Sequence, residues 1–298
     1  MKHIWQSRSG RIGLVIVGTA LLIVLVSLVW TPHDPSKVVP ADRWLPISRD
    51  HWFGTDGAGK DLFSQVLVGA RTTLFVVVAS VAIAAVIGLV MGIFSALAPR
   101  WVGESTVYLI DVLIALPGLV LALVLVAALG GSLWTVSLAI GFGAGVVLAR
   151  VVKSETHTVL TRDYIVAANA SGSSTFRTIG RHIMPNIGPI VIVQLSIIAA
   201  FAVLAEAALS YLGLTPVSTP SWGRMLQGLQ QSVTVHPWAI VFPGAAVVLA
   251  TLGFNLLGDG LREAMDPTLR RRTATGVTGP GTTPPSESLP SELTVVRP

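Results

Sequence analysis

The chain has 298 residues, 52% of them hydrophobic and only 12% charged, with a mean hydropathy of +0.73. A soluble domain carries about 25% charged residues, so a water-solvated fold of this length is excluded and the missing solvent is lipid. The net charge is +5 and there is no cysteine, which excludes a disulfide framework, thiolate metal sites, Fe–S clusters and a cysteine nucleophile.

Lys2, Arg8 and Arg11 precede an uncharged run from Ile12 to Pro32. That run is as long as the roughly 20 residues that span a bilayer. No small-residue cleavage site closely follows it, so it reads as a retained transmembrane helix rather than a signal peptide. Residues 31–70 form a long loop that mixes Asp34, Asp42, Asp50, Asp56 and Asp61 with Trp44 and Trp52. Within it, the segment from Gly54 to Asp61 nearly spells a phosphate-binding loop. Asp61 stands where a Ser or Thr hydroxyl would hold Mg²⁺, and no apolar strand precedes it. It is read as a Gly/Asp-rich turn into the second span.

Thr72–Pro99 lies uncharged between Arg71 and Arg100. Val112–Ala149 is too long for one helix, and Gly130-Gly131-Ser132 divides it. Two further apolar runs end at Glu206 and Asp259. Six spans result, near 12–30, 74–98, 106–129, 133–150, 188–210 and 238–258. They are apolar on every face, unlike the alternating strands of a membrane barrel, so they are helices. Pro117 is expected to kink the third span and is a gating candidate. Gly88 and Gly92 in the second span, like Gly141 and Gly145 in the fourth, have the spacing that lets helices approach closely.

Six spans put both termini on one side. Fourteen of the 20 basic residues fall on that side, among them Arg8, Arg11, Arg100, Arg150, Lys153, Arg162, Arg177, Arg181 and Arg262. The positive-inside bias makes that side the cytoplasm, which also accounts for the basic balance without a nucleic-acid partner. On this scheme residues 1–10 are cytoplasmic, 11–70 are the first helix and an external loop, and 71–267 are a five-helix core. Residues 268–298, rich in Thr, Ser, Pro and Gly, are a disordered tail.

No catalytic set is visible, and the histidines show no i, i+3 or i+4 pairing, so no metal site is expected. Asp111, Glu206 and Asp259 sit towards span ends, where capping or partner contacts are the expected roles. An ion-coupled carrier places acids near the midplane; without them, and without a phosphate-binding loop, active transport needs another chain for power.

The loop 151–186 is the most informative segment. Asp163 to Gly172 reads as a short helix ended by Gly172, and Ser173-Ser174 caps a second that reaches Ile183. Such a helix pair, flanked by Arg177 and Arg181, suits docking in a partner's groove. This loop resembles the EAA loop of ABC importer permeases. Ala167, Ala168, Gly172 and Pro185 fall at matching places, with Val166 where the family has Glu.

Other segments resemble, in order over residues 11–267, the second permease of dipeptide/oligopeptide/nickel importers. They are Gly54-Thr-Asp…Gly59-Lys60-Asp61, Gly69-Ala-Arg71, Arg181-His-Ile-Met-Pro-Asn186, Ala205-Glu-Ala-Ala-Leu-Ser-Tyr-Leu-Gly-Leu214, Pro220-Ser-Trp-Gly223 and Phe254-Asn-Leu-Leu-Gly-Asp-Gly-Leu-Arg262.

The resemblance implies a type I importer permease fold with six transmembrane helices and a cytoplasmic coupling helix, in a bacterial inner membrane. It implies a second permease, two ATP-binding subunits that carry ATP and Mg, and an external substrate-binding protein. No cofactor is expected on this chain. Coupling to the ATPase would fall to Ala167, Ala168, Ala170, Ser171, Gly172, Thr175, Phe176 and Arg177. Gly88, Gly92, Pro117 and Glu206 would be structural or gating positions. Peptides are the expected cargo; nickel, another small solute, or a non-transporting scaffold remain open.

Overall fold

A computed structural model of the chain describes residues 7–216 and 219–265, with all side chains except those of Val166, Ala167, Asn169 and Ala170. The expected tail 268–298 and most of the segment 1–10 lie outside the described residues.

Ten helices carry the described chain: α1 (Arg8–Val29), α2 (Leu62–Leu97), α3 (Arg100–Ala115), α4 (Gly118–Leu129), α5 (Leu133–Leu160), α6 (Asp163–Ala170), α7 (Thr175–Thr178), α8 (Met184–Tyr211), α9 (Trp222–Leu229) and α10 (Pro237–Met265). Their starts follow from side-chain caps. Ser7, Asp61, Ser132 and Ser221 accept from the backbone N–H three residues on, at 3.2, 2.7, 3.0 and 3.3 Å, which satisfies donors that an uncapped helix leaves open.

Four of the expected spans are α1, the C-terminal part of α2, the first two-thirds of α5 and most of α10. Charged residues end the apolar stretch but not the helix. Thus α2 starts at Leu62, α5 runs on to Leu160 and α10 to Met265. The fifth expected span, 188–210, is part of a longer apolar helical run from Thr175 to Tyr211, with one wider, π-wound stretch at Ile179–Ile183.

The third span is corrected. It is not one helix over 106–129 with a kink. It begins at Arg100, and α3 and α4 meet at 88°. Pro117 has no N–H to give, and its ring pushes Leu116 out of the helical region. Leu116 accordingly sits at φ −80°, ψ 130°. The described residues therefore hold five unbroken helices long and apolar enough to cross a membrane, and six spans when the bent pair is taken as one.

The most extensive packing is α2 on α5, and glycines allow it. A methyl added at Gly88 would come within 2.5 Å of the Leu148 side chain, and one at Gly92 within 2.6 Å of Val152. In return, Gly141 and Gly145 of α5 lie against Ile83 and Ile87 of α2. The two small-residue pairs thus face one another across a single seam, as close backbone approach requires. A second seam joins α1 to α10, where Ser7 donates to Glu263 at 2.5 Å.

These contacts sort the loops to two ends. The loop 30–61 meets the segment 212–236 at one end, where Trp44 stacks on His236 with centroids 4.2 Å apart. The loop 161–183 lies at the other end, beside the C-terminal turns of α2 and α5, with Ile165 and Ile183 buried among Leu89, Leu148 and Val152. The first turn of α1 and the last of α10 share that second end.

Candidate functional site

The element at the second end is built from local capping. Helix α6 ends where Gly172 takes φ +77°, a left-handed conformation that costs little only for glycine. The Ser173 N–H then donates back to the Ala168 carbonyl at 3.1 Å, which closes the six-to-one bond of a Schellman turn. Ser174 next caps α7, its hydroxyl accepting from the Arg177 N–H at 3.4 Å. The chain thereby reverses in four residues between two helices, as the residue types predict.

Two buried isoleucines, Ile165 and Ile183, tie this element to the bundle. Its outer side carries Phe176, 87% exposed, with Thr175 and Arg177 exposed beside it. Gly172 is exposed too, and a methyl built on it would meet no neighbouring atom. Of the other expected coupling residues, Ala168 is half-buried and Ser171 exposed; the side chains of Ala167 and Ala170 lie outside the described residues. With that exposure Phe176 is not a core residue of the described chain.

Glu206 is corrected as well. It lies one turn before the end of α8, yet it neither caps the helix nor faces outward: its exposure is 0%. Thr73 of α2 donates to its Oε2 at 2.9 Å, and Ser210 donates to its Oε1 at 2.6 Å. Burial of a carboxyl group is tolerated because hydroxyls satisfy both oxygens. The result is a polar clasp between α2 and α8 near the loop end. Asp111 is also not at a helix end in isolation; it forms an exposed ion pair with Arg150 of α5 at 3.4 Å.

The turn at 54–61 is a loop-to-helix joint, as expected, and not a phosphate cradle. Thr55 and Asp61 form a two-residue bridge, and the Asp56 carboxylate accepts from the N–H groups of Ala58 and Lys60 at 2.8 and 2.9 Å. A carboxylate fills the space an anion would need.

Sequence reading missed two arrangements here. Trp222 turns inward, and its Nε1–H donates to the Val66 carbonyl at 3.0 Å, locking α9 onto α2. The Pro-Ser-Trp-Gly segment was the available signal. His33, His51 and Asp61, scattered through the first loop, come together with His51 Nδ1 3.0 Å and His33 Nδ1 3.8 Å from the Asp61 carboxylate. Their irregular spacing gives no sign of it.

The chain is similar over almost its whole length to known transport proteins. It is 34% identical over 270 residues to the dipeptide transport system permease protein DppC of Alkalihalophilus pseudofirmus, covering 90% of this chain and 89% of the relative. It is 33% identical to the oligopeptide transport system permease protein OppC of Bacillus subtilis, covering 89% and 88%. A putative peptide permease protein of Brucella suis is 35% identical, with 88% of each chain covered. Residues 88–271, which take in Gly88, Gly92 and the α5 side of the seam, the broken third span, the capped turn at Gly172 and Glu206, match one family in particular. The chain belongs to the binding-protein-dependent transport system inner membrane components.

Proposed function

We propose that this chain is the subunit through which an ATP-driven importer passes peptides. It works beside a second permease, two ATP-binding subunits that carry ATP and Mg, and an external binding protein. The peptide assignment is supported by relatives named for dipeptide and oligopeptide transport, whose similarity extends along nearly all of both chains.

The observation that carries the reading is the α6–α7 element. It is capped at both helices, anchored from within by Ile165 and Ile183, and presents Phe176 outward at an end of the bundle. That end holds Arg8, Arg11, Arg150, Lys153, Arg162, Arg177, Arg181 and Arg262. The bias of basic residues assigns it to the cytoplasm, together with both termini. ATP binding closes the ATPase pair; the element follows as a rigid body and transmits the movement through the continuous α7–α8 run and α5 to the spans. Alternating access of this kind needs each state to be favoured by a different ligand. Residues 71–267 form the permease core, and the first loop with the segment 211–236 receives the binding protein.

The test is Gly172→Val in cells that depend on uptake of a labelled di- or oligopeptide. Valine at φ +77° is strained by roughly 1–2 kcal/mol, and the turn must open to relieve it. Uptake is expected to fall to background while the complex still assembles in the membrane. Wild-type uptake in this variant, or repeated purification of the chain without any ATPase subunit, would sink the reading.

A further inference from the structure

The first loop holds three groups whose chemistry is not used by the transport reading. His33 follows the end of α1, His51 lies in mid-loop and Asp61 is the residue that caps α2. The ligand atoms of the three lie within 4.8 Å of one another. We propose that His33, His51 and Asp61 bind a borderline divalent transition-metal ion of the Zn²⁺ class, which staples the loop to the start of α2.

The donor set decides the class of ion. Two imidazole nitrogens and one carboxylate oxygen suit Zn²⁺ and its neighbours, and they leave a fourth position for water. Mg²⁺ and Ca²⁺ call for oxygen ligands throughout. Ligands of a tetrahedral ion at roughly 2.0–2.1 Å stand about 3.3 Å apart. His51 Nδ1 lies 3.0 Å from Asp61 Oδ1 and His33 Nδ1 lies 3.8 Å from Asp61 Oδ2, on either side of that value. The imidazole rings stack with centroids 4.7 Å apart and 30° between planes, and the Nδ1 atoms of both lie within 3.8 Å of the same carboxylate. His33, whose side chain is 42% exposed, has the freedom to close the remaining gap.

The surroundings hold the ligands in place. Asp61 is buried, and its Oδ2 accepts from the Ser64 N–H at 2.7 Å, which leaves further lone pairs on the carboxylate. The Ser64 hydroxyl in turn accepts from the His33 N–H at 3.1 Å. Asp61 through its carboxylate and His33 through its backbone N–H are thus both tied by Ser64 to the first turn of α2, which brings the two ends of the loop together. A single hydrogen bond from His51 to Asp61 would account for those two residues alone. It does not account for His33 being brought to the same carboxylate.

The experiment uses the full chain, purified in detergent with a tag free of histidine and stripped with a chelator. It is titrated with Co²⁺, whose visible absorption reports four-coordinate binding, and then with Zn²⁺. One equivalent of Co²⁺ is expected to give that absorption, Zn²⁺ to displace it, and Zn²⁺ to raise the melting temperature. His33→Ala leaves the Asp61 cap and the His51 contact intact, so it folds. It is expected to weaken binding by more than about tenfold and to abolish the Zn²⁺-dependent rise in melting temperature. His51→Ala is expected to do the same. The proposal is overturned if a cooperatively melting wild-type chain takes up no stoichiometric Co²⁺, or if the double variant His33→Ala, His51→Ala binds it undiminished.

Discussion

The loop end of the bundle and the α6–α7 element at the other end are held by different kinds of contact. At the loop end, ties run between elements far apart in sequence: Trp222 to the Val66 carbonyl, Trp44 on His236, Phe53 on Phe242 with centroids 4.0 Å apart, and Glu206 bridging Thr73 and Ser210. At the other end, the α6–α7 element is shaped by bonds between near neighbours, Ser173 to Ala168 and Arg177 to Ser174, and is fastened inward by two isoleucines. Long-range ties make a part hard to move relative to the bundle. Local ties make a part stiff in itself while leaving its outer face free. The first suits a part that stays fixed to the bundle and the second a part offered to a partner.

The sharpest way to break the loop end is Glu206→Leu. It removes the acceptor for two buried hydroxyls, Thr73 and Ser210. An orphaned buried donor costs about 1–3 kcal/mol, so a marked fall in melting temperature in detergent is expected. Glu206→Gln keeps an acceptor oxygen and is expected to lose less. A leucine variant that melts with the wild type would show that the clasp between α2 and α8 holds nothing.

Next in size is Gly92→Leu, on the seam between the two ends. Its side chain would enter the space of Val152 and the Ala149 carbonyl. Overpacking of a tight contact costs about 1–3 kcal/mol, here spread along α2 and α5. The same thermal melts check it. Because the seam runs between the loop end and the end that holds α6 and α7, a stable Gly92→Leu chain with full transport would mean that the seam tolerates separation and carries no movement.

Much of this was legible before any coordinates. Uniformly apolar runs mark the membrane-spanning parts because lipid leaves the backbone no other partner, and the glycine spacings mark the α2–α5 seam. Gly172 followed by two serines marks the capped turn, since only a few residue types satisfy those backbone positions. Helix ends were less legible, because hydropathy reports where lipid stops and not where hydrogen bonding stops; hence α2 starts at Leu62 and α5 continues to Leu160. Pro117 marked the place of the break in the third span. The 88° angle is a matter of how α3 seats Ile110 against Val146 and Ala149 of α5. The burial of Glu206 is not legible, because its partner Thr73 lies 133 residues away. The meeting of His33, His51 and Asp61 depends on the path of an irregular loop, which no periodicity encodes.

The smallest effect on stability and the most telling on function is expected from Phe176→Ala. The side chain is largely in solvent, so its removal should change stability by no more than about 0.5 kcal/mol. If Phe176 is instead the knob that fills an ATPase groove, truncation costs about 2 kcal/mol or more of association, or about thirtyfold in affinity. Thermal melts of the isolated chain and binding of the ATP-binding subunits to the assembled permease pair separate the two quantities. Unchanged melting with weakened binding and lost uptake places the residue in the contact. A lowered melting temperature with normal coupling would place it in the fold, and the element would then be packed, like the loop end, rather than offered.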